Sequence, residues 1–134
     1  MNLKGVLGKV GFVALSSGTI TEEQVPQELY EQYLGGYGLG AYYLYTRQAR
    51  AVDPLGPDNT LGFLVGPLTG TDAITGNRFV VVGKSPKTGG WGDANCGGTF
   101  GPVFKSAGFD GIFFTGIAPV MPQSTVIIRF TPWL

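Results

Sequence analysis

Glycine dominates the middle of this chain. Between residues 66 and 101 there are ten glycines and one arginine, arranged around a single short apolar run, FVVV at 79–82. Glycine at this density removes side chains from a surface and leaves backbone N–H and C=O groups open to a large polar ligand. We therefore expect this segment to form a platform for a cofactor.

The side chains of the sequence limit its chemistry. Its 134 residues include no histidine and one cysteine, Cys96. Without histidine there is no imidazole base, no Ser-His or Cys-His nucleophile pair and no histidine-ligated metal. One cysteine excludes an internal disulfide framework and any metal or iron–sulfur site built from this chain's cysteines alone. Redox chemistry here would have to come from a cofactor or from another segment.

Charged residues are few, and their charges balance. Nine Lys plus Arg residues face nine Asp plus Glu residues, and the charged fraction is 13%, about half of the usual value. A net charge of zero gives no long-range attraction to a nucleic-acid backbone or an anionic membrane. We expect no nucleic-acid partner, and we expect other protein or a ligand to cover part of the surface.

The sequence predicts neither a secretion signal nor a membrane span. The first 15 residues are interrupted by Lys4, Lys9 and three glycines, unlike the apolar region of a secretory signal. No run approaches the ~20 apolar residues that a membrane span requires. We expect a cytoplasmic protein with no membrane partner.

Short runs of β-branched and aromatic residues predict β-strands. Val10–Leu15, the turn Ser16-Ser17-Gly18-Thr19 and a segment ending near Glu22 predict a hairpin. The other predicted strands are each bounded by Gly, Pro or Asn and lie at residues 60–65, 78–82, 111–115 and 125–130.

Three short helices are predicted between these strands. Pro26 suits a first helical turn, and apolar residues recur at helical spacing through 27–34 until Gly35-Gly36. A second helix is predicted at 39–48, and a third at 99–107 with Pro102 in its first turn. Residues 1–134 therefore predict a single α+β domain that is rich in short strands.

Two glycine motifs resemble nucleotide-binding fingerprints only in part. GYGLGA at 36–41 contains G-x-G-x-x-A, but a helix instead of a strand precedes it, which favours a helix-to-helix turn. Gly83-Lys84-Ser85 has the end of a P-loop, but Arg78 stands where that motif needs its first glycine. The P-loop match therefore fails.

The cysteine and the tyrosines favour structural roles. Cys96 has no histidine to activate it, so a small buried residue is favoured over a nucleophile, with metal or sulfur contact as a lesser alternative. Tyr42, Tyr43 and Tyr45 lie on the second predicted helix and are expected in the core and at an interface, not as stacking platforms.

Arg78 and Asn95 each have two explanations at this point. Arg78 immediately precedes the uncharged strand. Its guanidinium is therefore expected at the edge of the glycine platform, where two of its N–H groups can bind a phosphate or a ring carbonyl. A surface ion pair explains it equally well. Asn95 lies in DANCGG at 93–98, where a turn would point backbone groups outward, with or without a ligand.

Several motifs, in order, resemble the N-terminal domain of the aldehyde ferredoxin oxidoreductase family. The resemblance extends from Lys4 to Phe130, with all of its motifs at matching spacing. They are LGGYGLGAYYLY at 34–45, VDPLGPDN at 52–59, GPLTGT at 66–71, TGNR at 75–78, KSPKTG at 84–89, ANCGGTFG at 94–101 and SAGFDGIFFTG at 106–116.

The resemblance implies a fold and a set of cofactors. Members of this family oxidise aldehydes to carboxylic acids and pass the electrons to ferredoxin. They use tungsten, sometimes molybdenum, held by two pterin dithiolenes beside a [4Fe–4S] cluster, and a magnesium ion links the pterin phosphates. The N-terminal domain is a β-rich saddle of short mixed strands and a few short helices, on which the pterins lie.

The resemblance also implies site residues. Arg78 matches the arginine between cluster and pterin, where it can hydrogen-bond both. Asn95 matches the residue whose backbone carbonyl holds magnesium, an ion that prefers oxygen ligands. The cofactor-binding residues implied are Gly76, Asn77, Arg78, Ala94, Asn95, Cys96, Gly97 and Gly98. Asn77 replaces a common glycine, and Cys96 replaces a common small residue such as serine.

The family's cluster cysteines and proposed acid/base residues lie in later domains. We therefore expect this chain to be an incomplete N-terminal domain, inactive alone, whose partners are the pterin cofactor and the remaining domains or a partner subunit. One alternative is a free-standing assembly module that keeps the saddle and associates with itself, as a homo-oligomer, or with another protein. A weaker alternative is a small-molecule or phosphate binder that uses the same platform.

Overall fold

A computed structural model describes residues 4–119 as a mixed six-stranded sheet with three short helices. The strands are β1 (Lys9–Ala14), β2 (Thr19–Gln24), β3 (Leu61–Val65), β4 (Phe79–Lys84), β5 (Trp91–Cys96) and β6 (Gly111–Thr115). The helices are α1 (Gln27–Tyr33), α2 (Tyr37–Arg47) and α3 (Phe100–Ser106). The strand order is β2-β1-β6-β3-β4-β5. β1 and β6 run parallel, and the other neighbouring pairs are antiparallel.

This architecture confirms the predicted α+β fold. The N-terminal hairpin, the three helices and the strands predicted at 60–65, 78–82 and 111–115 are present, with ends that shift by a few residues. α2 begins at Tyr37, two residues before its predicted start. The strand predicted at 125–130 lies outside the described residues.

β5 corrects the prediction of a turn around Asn95. Residues 91–96 instead pair antiparallel with β4, and Val80 lies opposite Asn95. The segment is exposed at almost every position and has no alternation of apolar and polar residues, so nothing in its own pattern indicates a strand. Pairing with β4 satisfies its backbone, which outweighs its weak strand propensity. The turn begins after the strand, where Gly98 has a φ of +104°.

One face of the sheet is covered by α1 and α2. Leu39 and Tyr43 of α2 are buried in a core cluster with Leu64 and Val82 of the sheet. Gly40 allows the close approach of helix and sheet, because a Cβ there would lie 3.0 Å from a methyl group of Val82. α3 covers one end of the opposite face, where Phe104 packs with Val65 and Ile112.

The predicted tyrosine roles are confirmed for only part of the helix. Tyr43 is buried and Tyr42 packs against the same core cluster. Tyr45 is not a core residue, since 84% of its surface is exposed. Two positions along a helix rotate a side chain by roughly 200°, so Tyr45 lies on the side away from Tyr43. Within residues 4–119, no helix is long and apolar enough to cross a membrane.

Asp110 connects three parts of the fold through one buried oxygen. Its Oδ2 accepts hydrogen bonds from the backbone N–H groups of Leu7 and Gly8, at 2.7 and 2.8 Å, and from the hydroxyl of Tyr30 at 2.6 Å. Its own N–H donates to the carbonyl of Lys9. The carboxylate thus joins the N-terminal segment and α1 to the start of β6. Burial, followed by this hydrogen bond, raises the pKa of Tyr30.

The substitution Asp110→Ala is expected to lower the free energy of unfolding by about 3–5 kcal/mol. The change leaves one buried hydroxyl and two partly buried backbone N–H groups without an acceptor, and each such group costs roughly 1–3 kcal/mol. Urea unfolding followed by circular dichroism measures the loss, with the exposed Asp58→Ala as the matched control. A loss no larger than that of the control would contradict the role assigned to Asp110.

Stability is also expected to depend on alkaline pH through Tyr30. Because folding raises the pKa of Tyr30 above its ordinary value of 10.0, this contribution is complete below about pH 10 and declines as the pH rises further. Tyr43, whose pKa burial also raises, contributes to the same decline. Denaturant midpoints between pH 8 and 11 should therefore fall less steeply in Tyr30→Phe than in the unaltered chain. Tyr45→Phe serves as the exposed control, and equal slopes in all three would refute the prediction.

Candidate functional site

An open groove lies where the turn between α1 and α2 meets the loop after β3 and the adjoining ends of β4 and β5. Its volume is about 440 Å³, within the range of small-molecule sites. Four of the residues that line it are glycines. Its lining residues are Tyr33, Leu34, Gly35, Gly36, Tyr37, Gly38, Leu64, Gly66, Pro67, Leu68, Thr69, Thr75, Arg78, Phe79, Val80 and Asn95.

The first wall of the groove is the turn between α1 and α2. Leu34, Gly35 and Gly36 all have positive φ angles, of 62°, 132° and 48°, so the chain reverses sharply between the helices. A Cβ on Gly38 would lie 2.0 Å from the carbonyl oxygen of Tyr33, so only glycine fits there. The N–H of Gly36 donates to the carbonyl of Val65 and joins the turn to β3. The helix-to-helix interpretation of GYGLGA is thereby confirmed.

The second wall is held by a buried threonine. Thr69 is only 5% exposed. Its Oγ1 accepts a hydrogen bond from the N–H of Gly66 at 3.2 Å and donates to the carbonyl of Arg78 at 2.7 Å. One hydroxyl therefore fixes the start of this loop to the residue that immediately precedes β4.

A buried lysine supports the same wall from behind. The Nζ of Lys105 donates to the carbonyls of Gly5, Gly66 and Pro67 at 2.5, 2.7 and 3.1 Å. Burial lowers the pKa of Lys105, and the negative charge of Asp110 partly opposes that effect. Three carbonyl acceptors match the three donors of an ammonium group, so the Gly66–Pro67 segment is held in one position.

Arg78 and Asn95 meet at the mouth of the groove. The Nη1 of Arg78 donates a hydrogen bond to the Oδ1 of Asn95. Asn95 lies opposite Val80 in the β4–β5 register, so its side chain is on the face of the sheet that lines the groove. The ion pairs found among residues 4–119 are Lys9–Glu22 and Arg47–Glu23. Arg78 is in neither, so the surface ion pair considered for it is not formed there.

The remaining predicted residues surround this pair without all facing the groove. Gly76 lies inside the 66–78 loop, where a Cβ would be 2.7 Å from the carbonyl oxygen of Leu68. Asn77 packs beside Gly97, and its side-chain amide atoms would lie 3.8 Å from a Cβ placed on Gly97. Gly98 follows β5 and has open space around its α-carbon.

Ala94 and Cys96 lie on the other face of β5. Side chains alternate along a strand, so these neighbours of Asn95 point away from the groove. Cys96 is exposed, and the prediction of a buried cysteine is wrong. The cause is the position of β5 as the edge strand of the sheet, where almost every residue is exposed.

The donors of the groove suit an anionic organic group. Arg78 brings a permanent positive charge, and the glycines leave space beside it for a planar group. Within residues 4–119, no group of three or more His, Cys, Asp or Glu side chains is placed to hold a metal ion. A metal would need ligands other than such a cluster in this part of the chain.

The family model described as "Aldehyde ferredoxin oxidoreductase, N-terminal domain" matches residues 10–128. The chain belongs to this family. The tungsten-containing aldehyde ferredoxin oxidoreductases of Pyrococcus horikoshii and Pyrococcus abyssi are each 46% identical to it over 114 residues. Each alignment covers 85% of this chain and 19% of the relative. The chain therefore corresponds in length to about a fifth of these relatives.

Two further comparisons show how the family extends. The aliphatic sulfonate oxidoreductase, WOR-like subunit, of Pyrococcus furiosus is 35% identical over 114 residues, which are 83% of this chain and 18% of that protein. A solved structure is titled "Active site complex BamBC of Benzoyl Coenzyme A reductase in complex with 1,5 Dienoyl-CoA". It matches with a TM-score of 0.83 and 37% identity over 87% of this chain and 18% of that one. This match confirms the fold class, and the relatives are named as oxidoreductases.

Sequence reasoning missed the residues that support the groove from below. Thr69 and Lys105 were not predicted as site residues, although GPLTGT at 66–71 contributed to the family resemblance. The Thr69 hydroxyl accepts from an N–H group three residues before it, whereas a threonine turn joins the hydroxyl to an N–H group two residues later, so no turn motif indicates Thr69. Nothing local indicates Lys105, because its three acceptors lie 38 to 100 residues away.

Replacement of Thr69 by valine is expected to lower the free energy of unfolding by about 1–3 kcal/mol. The change preserves shape but leaves the Arg78 carbonyl and the Gly66 N–H unpaired. Thr69→Ser keeps the hydroxyl and should cost less, which makes it the matched control in urea unfolding. Equal losses in both variants would show that the methyl group, and not the hydroxyl, is what the fold needs.

Proposed function

We propose that residues 1–134 form the pterin-binding N-terminal portion of a tungsten-dependent aldehyde oxidoreductase, as one incomplete domain. The observation that carries this proposal is the groove in which Arg78 and Asn95 meet beside four glycines. A pterin is planar and rich in ring nitrogens and carbonyl oxygen, and its phosphate is anionic. Arginine donors are suited to both parts, and residues without side chains leave room for a planar ring.

The residues of this chain would hold the cofactor and leave the redox chemistry to it. When bound, the tungsten atom supplies the two-electron oxidation of an aldehyde to a carboxylic acid. Arg78 would hydrogen-bond the pterin and the neighbouring [4Fe–4S] cluster of the longer protein. The backbone carbonyl of Asn95 would bind magnesium, which prefers oxygen ligands. Gly76, Asn77, Ala94, Cys96, Gly97 and Gly98 would provide backbone around these groups.

The remaining parts of the reaction belong to the longer protein in this proposal. The cluster, the acid/base residues and the contact with ferredoxin would come from other domains or a partner subunit in the cytoplasm. This part of the chain has one cysteine, and a [4Fe–4S] cluster takes four. The isolated chain is therefore expected to bind pterin without oxidising aldehydes.

Binding of an oxidised, phosphorylated pterin to the purified chain tests the proposal through the pterin's own fluorescence. Arg78→Met should weaken binding at least about tenfold, because hydrogen bonds to charged groups contribute roughly 1.5–3 kcal/mol. Arg50→Met is the matched control, since Arg50 lines a different groove. Arg78→Lys keeps the positive charge but loses the paired N–H donors of the guanidinium, so its pterin affinity should lie between those of Arg78→Met and Arg50→Met.

The proposal fails if the isolated chain does not bind the pterin while a full-length homologue does. It also fails if Arg78→Met and Arg50→Met weaken binding equally, because binding would then follow overall charge. Thermal stabilisation by simple phosphate esters, with no preference for the pterin, would instead favour the small-molecule binder that uses the same platform.

A second candidate function is self-association through the sheet. The face opposite α1 and α2 exposes Ile20 and Leu61, and α3, on which Val103 is exposed, covers only one end of it. Such apolar area is typical of a protein interface. Light scattering should show a dimer or larger assembly that Leu61→Lys disrupts. A monomer at all concentrations would exclude this candidate.

A further inference from the structure

We infer that the side-chain amide of Asn95 is a positioning residue for Arg78 and a second donor toward the same ligand. The inference rests on the proposed function and deepens it, since it gives the Asn95 side chain a role beside that of its backbone carbonyl. The contact between Arg78 Nη1 and Asn95 Oδ1 is its starting point.

The chemistry of the two groups decides the orientation of the amide. A guanidinium has only donors, so Asn95 must present its oxygen to Arg78. The Nδ2 group then points away from the arginine, and no acceptor within residues 4–119 pairs with it. The remaining Arg78 donors and the two Nδ2 hydrogens therefore form a set of adjacent donors at the mouth of the groove.

Both members of the pair are anchored to the sheet. The Arg78 carbonyl is held by the buried hydroxyl of Thr69, and the next residue begins β4. Asn95 is held by its pairing opposite Val80, which is itself buried. Side chains on paired strands keep their relative positions better than side chains on loops. The donor set is therefore formed before a ligand arrives, which reduces the entropy lost on binding.

The neutrality of asparagine is as important as its shape. An aspartate at position 95 would also accept from Arg78, but its charge would neutralise the guanidinium and repel an anion. Asparagine orients the arginine and leaves its charge available to the ligand. The ligand chemistry that fits is a group with two neighbouring acceptor atoms, which are two oxygens in a phosphate, or the carbonyl oxygen and a nearby ring nitrogen in a pterin.

The first experiment needs no ligand and measures rotation of the Arg78 guanidinium by NMR of the 15N-labelled chain. The Arg78 signal is assigned by its absence from Arg78→Lys. Rotation should become severalfold faster in Asn95→Ala, because the hydrogen bond that restrains it is lost. It should stay slow in Asn95→Asp and in Thr88→Ala, a control in the β4–β5 turn. Unchanged rotation in Asn95→Ala would overturn the inference.

The second experiment compares binding of pyrophosphate and of a phosphate-free pterin, each as a separate probe. Asn95→Asp should weaken pyrophosphate binding at least about tenfold, because the added negative charge repels the anion and neutralises Arg78. Asn95→Ala should lower the affinity for whichever probe has an oxygen that contacts Nδ2, so the result distinguishes a phosphate from a ring carbonyl. Thr88→Ala should lower the affinity for neither probe. Affinities for both probes that Asn95→Ala leaves unchanged would refute the donor role.

The two experiments separate failure of the inference from failure of the proposed function. If the unaltered chain binds neither probe, the proposed function fails for this chain, while the rotation measurement still decides whether Asn95 positions Arg78. If the chain binds the probes but rotation and affinity are insensitive to Asn95→Ala, the inference fails and pterin binding stands.

Discussion

The fold depends on the carboxylate of Asp110. One buried oxygen receives two backbone N–H groups from the N-terminal segment and the hydroxyl of Tyr30 from α1. The residue stands immediately before β6, which lies between β1 and β3 in the sheet. β1 and β6 are parallel neighbours far apart in sequence, so no tight turn can set their register. The Asp110 contacts supply that constraint.

The groove depends on the same buried polar layer. Lys105 lies close enough to Asp110 for the carboxylate to raise its pKa against the effect of burial, and its ammonium group holds the carbonyls of Gly66 and Pro67. Thr69 continues the layer to Arg78. Four of the residues that line the groove are glycines, which have no side chains to pack, so the shape of its wall depends on the hydrogen bonds behind it. Substitutions in this buried polar layer are therefore expected to change the shape of the groove.

Local chemistry predicts most of the elements but only part of the site. The hairpin and the helices follow from turn residues and apolar spacing, and they are found where those signals place them. β5 carries no such signal, because its strand character comes from pairing with β4. The meeting of Arg78 and Asn95 is a product of that register, so the family resemblance could indicate both residues but not their contact. Cys96 is exposed because it lies on this edge strand, where almost every residue is exposed.

The glycines of residues 66–101 divide into two kinds, and the division restricts where a ligand can lie. At Gly76 and Gly101 a Cβ would come within 2.7 and 2.9 Å of backbone oxygens, so these glycines exist for the packing of the loops. Gly66 and Gly98 have open space instead, and Gly66 lines the groove. High glycine content thus marks a compact backbone as much as an open one. Glycines such as Gly76 and Gly101 therefore leave no room for a ligand at their α-carbons, whereas Gly66 and Gly98 do.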